Sequence, residues 1–146
     1  MRRQVAIGVG VLGALAAIVL IASALGDGAA EGQVDGPVIS LGEGWNSYPA
    51  ALVSGQVALE HGCLLLDGSV VFWPHGTTWD ESGDAVAFGG DFDDSAPAVV
   101  GEEFTGGGGY YSAANLEGLE GLDTKALRQC LRETDAQGAV LAYPDD

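Results

Sequence analysis

The pattern of apolar and polar positions begins with an unbroken apolar stretch. Val5 to Leu25 contains no charged residue and follows two arginines, Arg2 and Arg3. A helix over this stretch would be about 31 Å long, enough to cross a hydrocarbon core of about 30 Å. A basic start before such a stretch is typical of an export signal or an N-terminal membrane anchor. We therefore predict that residues 1–26 form a hydrophobic helix, either a signal peptide or a transmembrane anchor.

Two features of this segment favour different fates. Its length favours retention as an anchor, because the apolar region of a cleaved signal usually has about 7–15 residues. Ala22-Ser23-Ala24, in contrast, fits the small-residue exit site of a cleaved signal. Either fate carries the rest of the chain out of the cytoplasm. We therefore expect an extracytoplasmic protein, secreted or held at the cell membrane by a single N-terminal anchor.

Residues 27–44 are rich in glycine and acids and show no sustained periodicity. This composition predicts a flexible acidic linker between the apolar segment and a folded domain. The domain is expected to begin near Trp45, so that residues 45–146 form one small β domain.

Short strands dominate the pattern of the predicted domain. Val53 to Leu59 alternates apolar with small or polar residues, the period of a half-buried strand. Cys63 to Leu66 and Ser69 to Trp73 are apolar runs separated by Asp67-Gly68. This arrangement favours a type I′ hairpin, in which both central residues need positive φ. Further strands are expected at residues 84–88, 98–104 and 139–143.

One helix is expected in the domain, over Thr124 to Thr134. Asp123 can cap it, and Leu127, Cys130 and Leu131 fall on one face. About six short strands with glycine turns and one late helix predict a mainly β fold. We expect a small, mostly antiparallel barrel or sandwich with a helix near its C-terminal end.

The charge of the chain is strongly unbalanced. It has 21 acidic residues against five lysines and arginines, for a formal net charge of −16. Such a surface repels phosphate backbones, so we predict no nucleic-acid partner. A membrane partner is expected only through the N-terminal helix, where that helix is retained. The charge favours solubility outside the cell, with attraction of cations or a basic partner as the alternative.

The two cysteines, Cys63 and Cys130, predict one disulfide. An even count in an exported chain is typical of a disulfide pair. The bridge would close a loop of 67 residues and pin the helix to the strand of Cys63. Two free buried thiols or a metal site are the alternatives.

Metal ligands are sparse and poorly spaced. Asp91, Asp93 and Glu102 occupy positions 1, 3 and 12 of a calcium-loop pattern. An EF-hand is excluded because Ala96 replaces its essential glycine and Pro97 lies inside the loop. A looser calcium site at these acids is an alternative to an exposed acidic loop. Zinc-type spacing of cysteine and histidine is absent from the sequence.

Catalytic patterns are also absent from the sequence, which has neither G-x-S-x-G nor a P-loop. No catalytic residue and no cofactor are therefore predicted. The glycines of Gly106–Gly109 are expected to turn a barrel corner or to permit close packing against Tyr110 and Tyr111. Trp79 and Tyr111 are the aromatic residues we expect to be partly exposed, at a possible recognition surface.

Several short elements occur together: Gly62-Cys63-Leu64, Trp73 to Trp79, Val100 to Glu103, Gly106 to Tyr110, and Cys130-Leu131. Together they resemble a group of small exported or lipid-anchored proteins of high-GC Gram-positive bacteria. That resemblance implies a small β-barrel with a conserved cysteine pair, and it assigns no catalytic residue. The chain departs from the group in having Glu102 where aspartate is usual, and alanine where a lipid-modified cysteine would lie.

These observations predict an extracytoplasmic, non-enzymatic structural or interaction module. A small exported hydrolase or a domain that binds calcium, zinc or copper is the alternative.

Overall fold

Apolar runs and glycine turns divide the chain into short strands, which a computed structural model describes for residues 31–145. The hydrophobic helix predicted within residues 1–26 lies outside the described residues. Neither helix of the described part has the length and apolarity needed to cross a bilayer.

The described residues contain ten strands, two α-helices and a short 3₁₀ turn. The strands are β1 Gln33–Asp35, β2 Val38–Ser40, β3 Ala51–Glu60, β4 Cys63–Leu66, β5 Ser69–Phe72, β6 Thr78–Asp80, β7 Ala85–Ala87, β8 Ala98–Val99, β9 Glu103–Ser112 and β10 Gly138–Pro144. The helices are α1 Ala113–Leu116 and α2 Thr124–Glu133, and the 3₁₀ turn is Gly90–Phe92. The mainly β class expected from the sequence is confirmed.

Five of the strands close into a barrel in the order β10-β5-β4-β3-β9. Its pairs are antiparallel except β5 with β10, which run parallel. The remaining strands form two small sheets, β1-β2 and β6-β7-β8. The expected antiparallel barrel of about six strands is therefore a five-stranded barrel with one parallel pair. The parallel pair is possible because the long chain between β5 and β10 supplies the crossover that parallel strands need.

The hairpin between β4 and β5 has the predicted turn. Asp67 and Gly68 have φ of 48° and 78°, as a type I′ turn requires. His61 and Gly62, with φ of 52° and 77°, turn β3 into β4 in the same way.

The prediction of a flexible linker over residues 27–44 is wrong from Gln33 onward. β1 and β2 form a hairpin in this range, and Val38 and Leu41 are fully buried. The Leu41 amide donates to the Trp73 carbonyl, and the Trp73 amide donates to the Ile39 carbonyl, both at 2.9 Å. Apolar side chains at 38, 39 and 41 drive this docking, although glycine and acids around them mask the pattern in the sequence. Within the described residues, strand structure therefore begins at Gln33 rather than near Trp45.

Two other local predictions need correction. The strand expected at residues 98–104 is divided into β8 and the start of β9 by a turn with Gly101 at φ 90°. Gly106–Gly109 lies within β9 and is not a corner.

The core has two parts, one on each side of the strands. Alternate residues of the barrel, with residues from the two small sheets, form the interior cluster, which includes Val53, Val57, Leu64, Trp73 and Phe104. The opposite faces of β4, β5 and β10 pack against the helical region in an outer cluster, which includes Leu65, Phe72, Leu127 and Leu141. Strands β4, β5 and β10 are consequently buried on both faces, which explains their continuous apolar sequences.

Helix α2 covers the outer cluster as predicted. Asp123 accepts a hydrogen bond from the Ala126 amide at 3.0 Å and caps the helix. The predicted disulfide is present between Cys63 and Cys130, whose Cα atoms are 5.7 Å apart. The bridge joins the start of β4 to α2 and fixes the helix on the barrel.

Candidate functional site

Three loops meet beside the barrel and enclose a cleft of about 320 Å³. They are the segment between β2 and β3, the segment after β5, and the 3₁₀ turn Gly90–Phe92. We call this recess the aromatic cleft. Its principal side chains are Glu43, Trp45, Tyr48, His75, Asp91 and Phe92.

Glycines allow two of these loops to touch through their backbones. A Cβ at Gly89 would overlap the carbonyl oxygen of Gly76, so only glycine fits this approach. Gly76 and Gly90 have φ of 83° and 63°, a region that glycine occupies without strain. This contact places His75 beside the 3₁₀ turn that carries Asp91 and Phe92.

Three rings form a packed group at the cleft, where Tyr48 and Phe92 contribute to the wall. Tyr48 packs edge-on against Phe92, with ring centroids 6.0 Å apart, and against Tyr143, at 5.3 Å. Phe92 and Tyr143 also contact, at 5.7 Å. Edge-to-face pairs at these distances are favourable, so the group holds Tyr48 and Phe92 in fixed positions.

The glycine run of β9 makes room for this aromatic group. A Cβ at Gly107 would overlap the Tyr143 ring, and one at Gly109 would lie 2.9 Å from Pro49. The Tyr143 hydroxyl donates to the Pro49 carbonyl at 2.6 Å. The close approach expected for these glycines is present, but the nearest groups are Tyr143, Leu141 and Pro49 rather than Tyr110 and Tyr111.

Trp45 forms another part of the cleft. Its indole Nε1–H donates to the Ser47 carbonyl at 2.9 Å, which satisfies the polar edge of the ring. The ring is half-buried against the outer core cluster. Trp45 also borders a neighbouring recess of about 420 Å³, formed with residues 118–120. The indole therefore borders two recesses of the surface.

Negative charge surrounds the cleft. The carboxylates of Glu43 and Asp91 are exposed at it. Burial raises the pKa of Tyr48 above its ordinary value of 10.0, and the negative charge of Asp91 raises it further. No lysine or arginine occurs between residue 31 and Lys125, so in the described part of the chain all such cations lie on α2.

His75 is oriented by the main chain. Its Nδ1 lies 3.3 Å from the carbonyl oxygen of Leu41. A carbonyl only accepts, so Nδ1 carries the proton in this contact. His75 does not share the cleft with Asp80 or Glu102. Asp80 instead accepts hydrogen bonds from the Ser82 hydroxyl and amide and the Gly83 amide, and these bonds lower its pKa.

The weak calcium candidates Asp91, Asp93 and Glu102 are not brought together. Within residues 31–145, no group of three or more histidine, cysteine or acidic side chains is arranged to hold a metal ion. Glu102 instead borders a different groove of about 580 Å³, beside residues 94–99. The aromatic cleft differs from this groove in having Trp45 and packed aromatic rings among its lining residues.

The predicted recognition residues are both half-buried, and they pack in different places. Trp79 lies against the interior cluster and against Gly36 of the β1–β2 turn. Tyr111 packs on Phe72 of the outer cluster, with ring centroids 5.6 Å apart, and burial raises its pKa. A recognition role for either residue stays a prediction.

Sequence reasoning did not select the cleft residues. Trp45, Tyr48 and Phe92 occur in segments without periodicity. Glu43 lies two residues before Trp45, and Asp91 directly precedes Phe92. The available signal was the presence of aromatic residues near acids in segments predicted to be loops. Such aromatics are not explained by the need to bury one face of a strand or helix.

Comparison with known proteins gave no match to any family model, curated protein or solved structure.

Proposed function

We propose that this protein is an extracytoplasmic, non-enzymatic binding module, secreted or held at the membrane by its N-terminal segment. The observation that carries the proposal is the aromatic cleft on a barrel to which the Cys63–Cys130 disulfide fastens helix α2. The proposal agrees with the motifs that resemble small exported proteins of high-GC Gram-positive bacteria.

The disulfide supports the extracytoplasmic part of the proposal. Such bonds form and persist in oxidising compartments and are rare in the cytosol of most organisms. The basic start and apolar run of residues 1–25 supply a route to such a compartment. An acidic surface then favours solubility in that compartment.

The composition of the cleft supports binding rather than catalysis. Its walls include packed rings, and its carboxylates are exposed to solvent. A hydrolase of the Ser-His or Cys-His type needs a nucleophile in hydrogen-bond contact with its histidine base. His75, the histidine at the cleft, contacts a main-chain carbonyl. The barrel interior is filled by core side chains, so ligands would meet the protein at its surface.

Cell fractionation with thiol labelling tests the proposal. We expect the full chain, expressed in its host, to be digested by protease added to intact spheroplasts or to appear in the medium. Alkylation without reductant should leave both sulfurs unlabelled, and N-terminal sequencing should show whether residues 1–26 are retained. A cytoplasmic chain with two labelled thiols would contradict the proposal.

A further inference from the structure

We propose that the aromatic cleft binds an organic ammonium group, carried by a small molecule or by a side chain of a partner protein. The inference deepens the proposed function and rests on it, because it names the ligand chemistry of the same cleft.

The rings supply the first argument. Trp45, Tyr48 and Phe92 come from two separate loops and border one recess. Aromatic faces carry negative electrostatic potential and attract a cation within about 6 Å of the ring centroid, with Trp the best partner. Trp45 has its indole N–H already bonded to Ser47, so its remaining capacity for interaction is its face.

Charge supplies the second argument. Glu43 precedes Trp45 by two residues and Asp91 directly precedes Phe92, and all four residues border the cleft. The negative charge of Asp91 raises the pKa of Tyr48, so its field reaches the hydroxyl of that ring. The one salt bridge of the described residues, Arg128 to Glu117 at 2.8 Å, leaves the cleft carboxylates without an internal cation. A ligand of positive charge is therefore the complementary one.

Size and rigidity supply the third argument. A volume of about 320 Å³ exceeds that of a trimethylammonium or lysine head and suits part of a larger ligand. The Tyr143 hydroxyl bond to Pro49 and the contact of Gly76 with Gly89 fix the walls before binding. A preformed recess loses less entropy on binding than a flexible one.

The test uses the oxidised chain as isolated from its host, with uncharged detergent present where the N-terminal segment is retained. The probes are choline and N-acetyl-lysine methylamide, and the control is 3,3-dimethyl-1-butanol, the uncharged analogue of choline. Sodium chloride is exchanged for probe at constant ionic strength. The readout is the indole N–H signals of Trp45, Trp73 and Trp79 in ¹H–¹⁵N NMR spectra.

At least one cationic probe should shift the Trp45 signal saturably, while the signals of the buried Trp73 and of Trp79 in strand β6 remain unchanged. The uncharged analogue should bind at least about fivefold more weakly than choline or not at all. Saturation by choline alone indicates a free quaternary ammonium ligand. Saturation by the lysine derivative alone indicates a partner side chain, and either result supports the proposal.

A pair of double variants separates local from overall charge. Glu43→Gln with Asp91→Asn removes the two cleft carboxylates and should weaken binding about fivefold to tenfold. Glu60→Gln with Asp93→Asn removes the same charge from exposed positions outside the cleft and should change affinity less than twofold. All four positions are exposed, so both proteins should fold.

Equal affinity of the two double variants would overturn the proposal, as would saturable binding of the uncharged analogue with the same affinity as choline. Failure of both cationic probes to move the Trp45 signal would also overturn it. None of these results bears on export or on the disulfide. They would contradict the ligand assigned to the cleft, whereas the fractionation and thiol-labelling experiment tests the proposed function.

Discussion

The two halves of the barrel differ in how many of their faces are covered. Strands β4, β5 and β10 are buried on both faces, between the barrel interior and the helical layer. Strands β3 and β9 include exposed as well as buried positions, and Leu52 of β3 is 71% exposed. The covered half thus holds most of the buried apolar residues of the barrel strands, whereas β9 of the uncovered half supplies glycines that let neighbouring groups approach. Stability and the shape of the cleft therefore depend on different strands.

Removing the disulfide should have the largest effect on the covered half. The Cys63→Ala/Cys130→Ala variant should lose about 4 kcal/mol of unfolding free energy, because the 67-residue loop is no longer closed in the unfolded chain. Urea denaturation followed by far-UV circular dichroism measures this loss. Reduction of the unmodified protein should give a similar decrease. A change below about 1 kcal/mol in both would show that the bridge contributes little to stability.

A leucine pair compares the two halves directly. Leu127→Ala, at a fully buried position of α2, should cost about 3 kcal/mol through lost burial and the cavity left behind. Leu52→Ala makes the same chemical change on the uncovered face and should cost less than about 0.5 kcal/mol. The measurement is again the urea midpoint. Similar losses for the two variants would mean that the covered half is not the more tightly packed one.

A glycine pair tests the role of β9. Gly107→Ala should destabilise the protein by about 2 kcal/mol, because the new methyl group would displace the Tyr143 ring. It should also alter the near-UV circular dichroism of the aromatic group. Gly118→Ala is the control, since its Cβ meets no atom within 4 Å and its φ is not positive. Unchanged aromatic spectra for Gly107→Ala would rule out its proposed support of the cleft.

The smallest expected effect concerns Tyr48. Its raised pKa means that the folded state favours the protonated phenol more than the unfolded state does. The corresponding stability is complete below the unfolded pKa near 10 and is lost as pH rises through the folded pKa. Tyr48→Phe should therefore weaken the pH dependence of stability above pH 10, measured by urea titrations at several pH values. An unaltered alkaline profile would contradict this assignment.

The sequence predicted the parts of the fold whose local pattern agrees with their tertiary surroundings. The Asp67-Gly68 turn, the half-buried strand β3 and the capped helix after Asp123 each have a local cause, and all three were expected correctly, although Leu59 of β3 is exposed rather than buried. The pairing of Cys63 with Cys130 followed from the count of cysteines.

The missed elements depend on partners distant in sequence. β1 and β2 are three residues each, and Val38 becomes buried only by docking beside Trp73. The parallel pairing of β5 with β10 is equally non-local. The aromatic cleft could not be assembled from the sequence for the same reason, because Tyr48 and Phe92 meet across 44 residues without a periodic pattern.

The position of β10 in the barrel has a consequence for when the protein can fold. This strand pairs with both β5 and β9, so the ring of strands stays open until residue 144 has been synthesised. Pairings over such long sequence separations form slowly, since a large loop must close first. Hairpins such as β3-β4-β5 can form earlier, but the closed barrel of a nascent chain has to wait until synthesis is nearly complete.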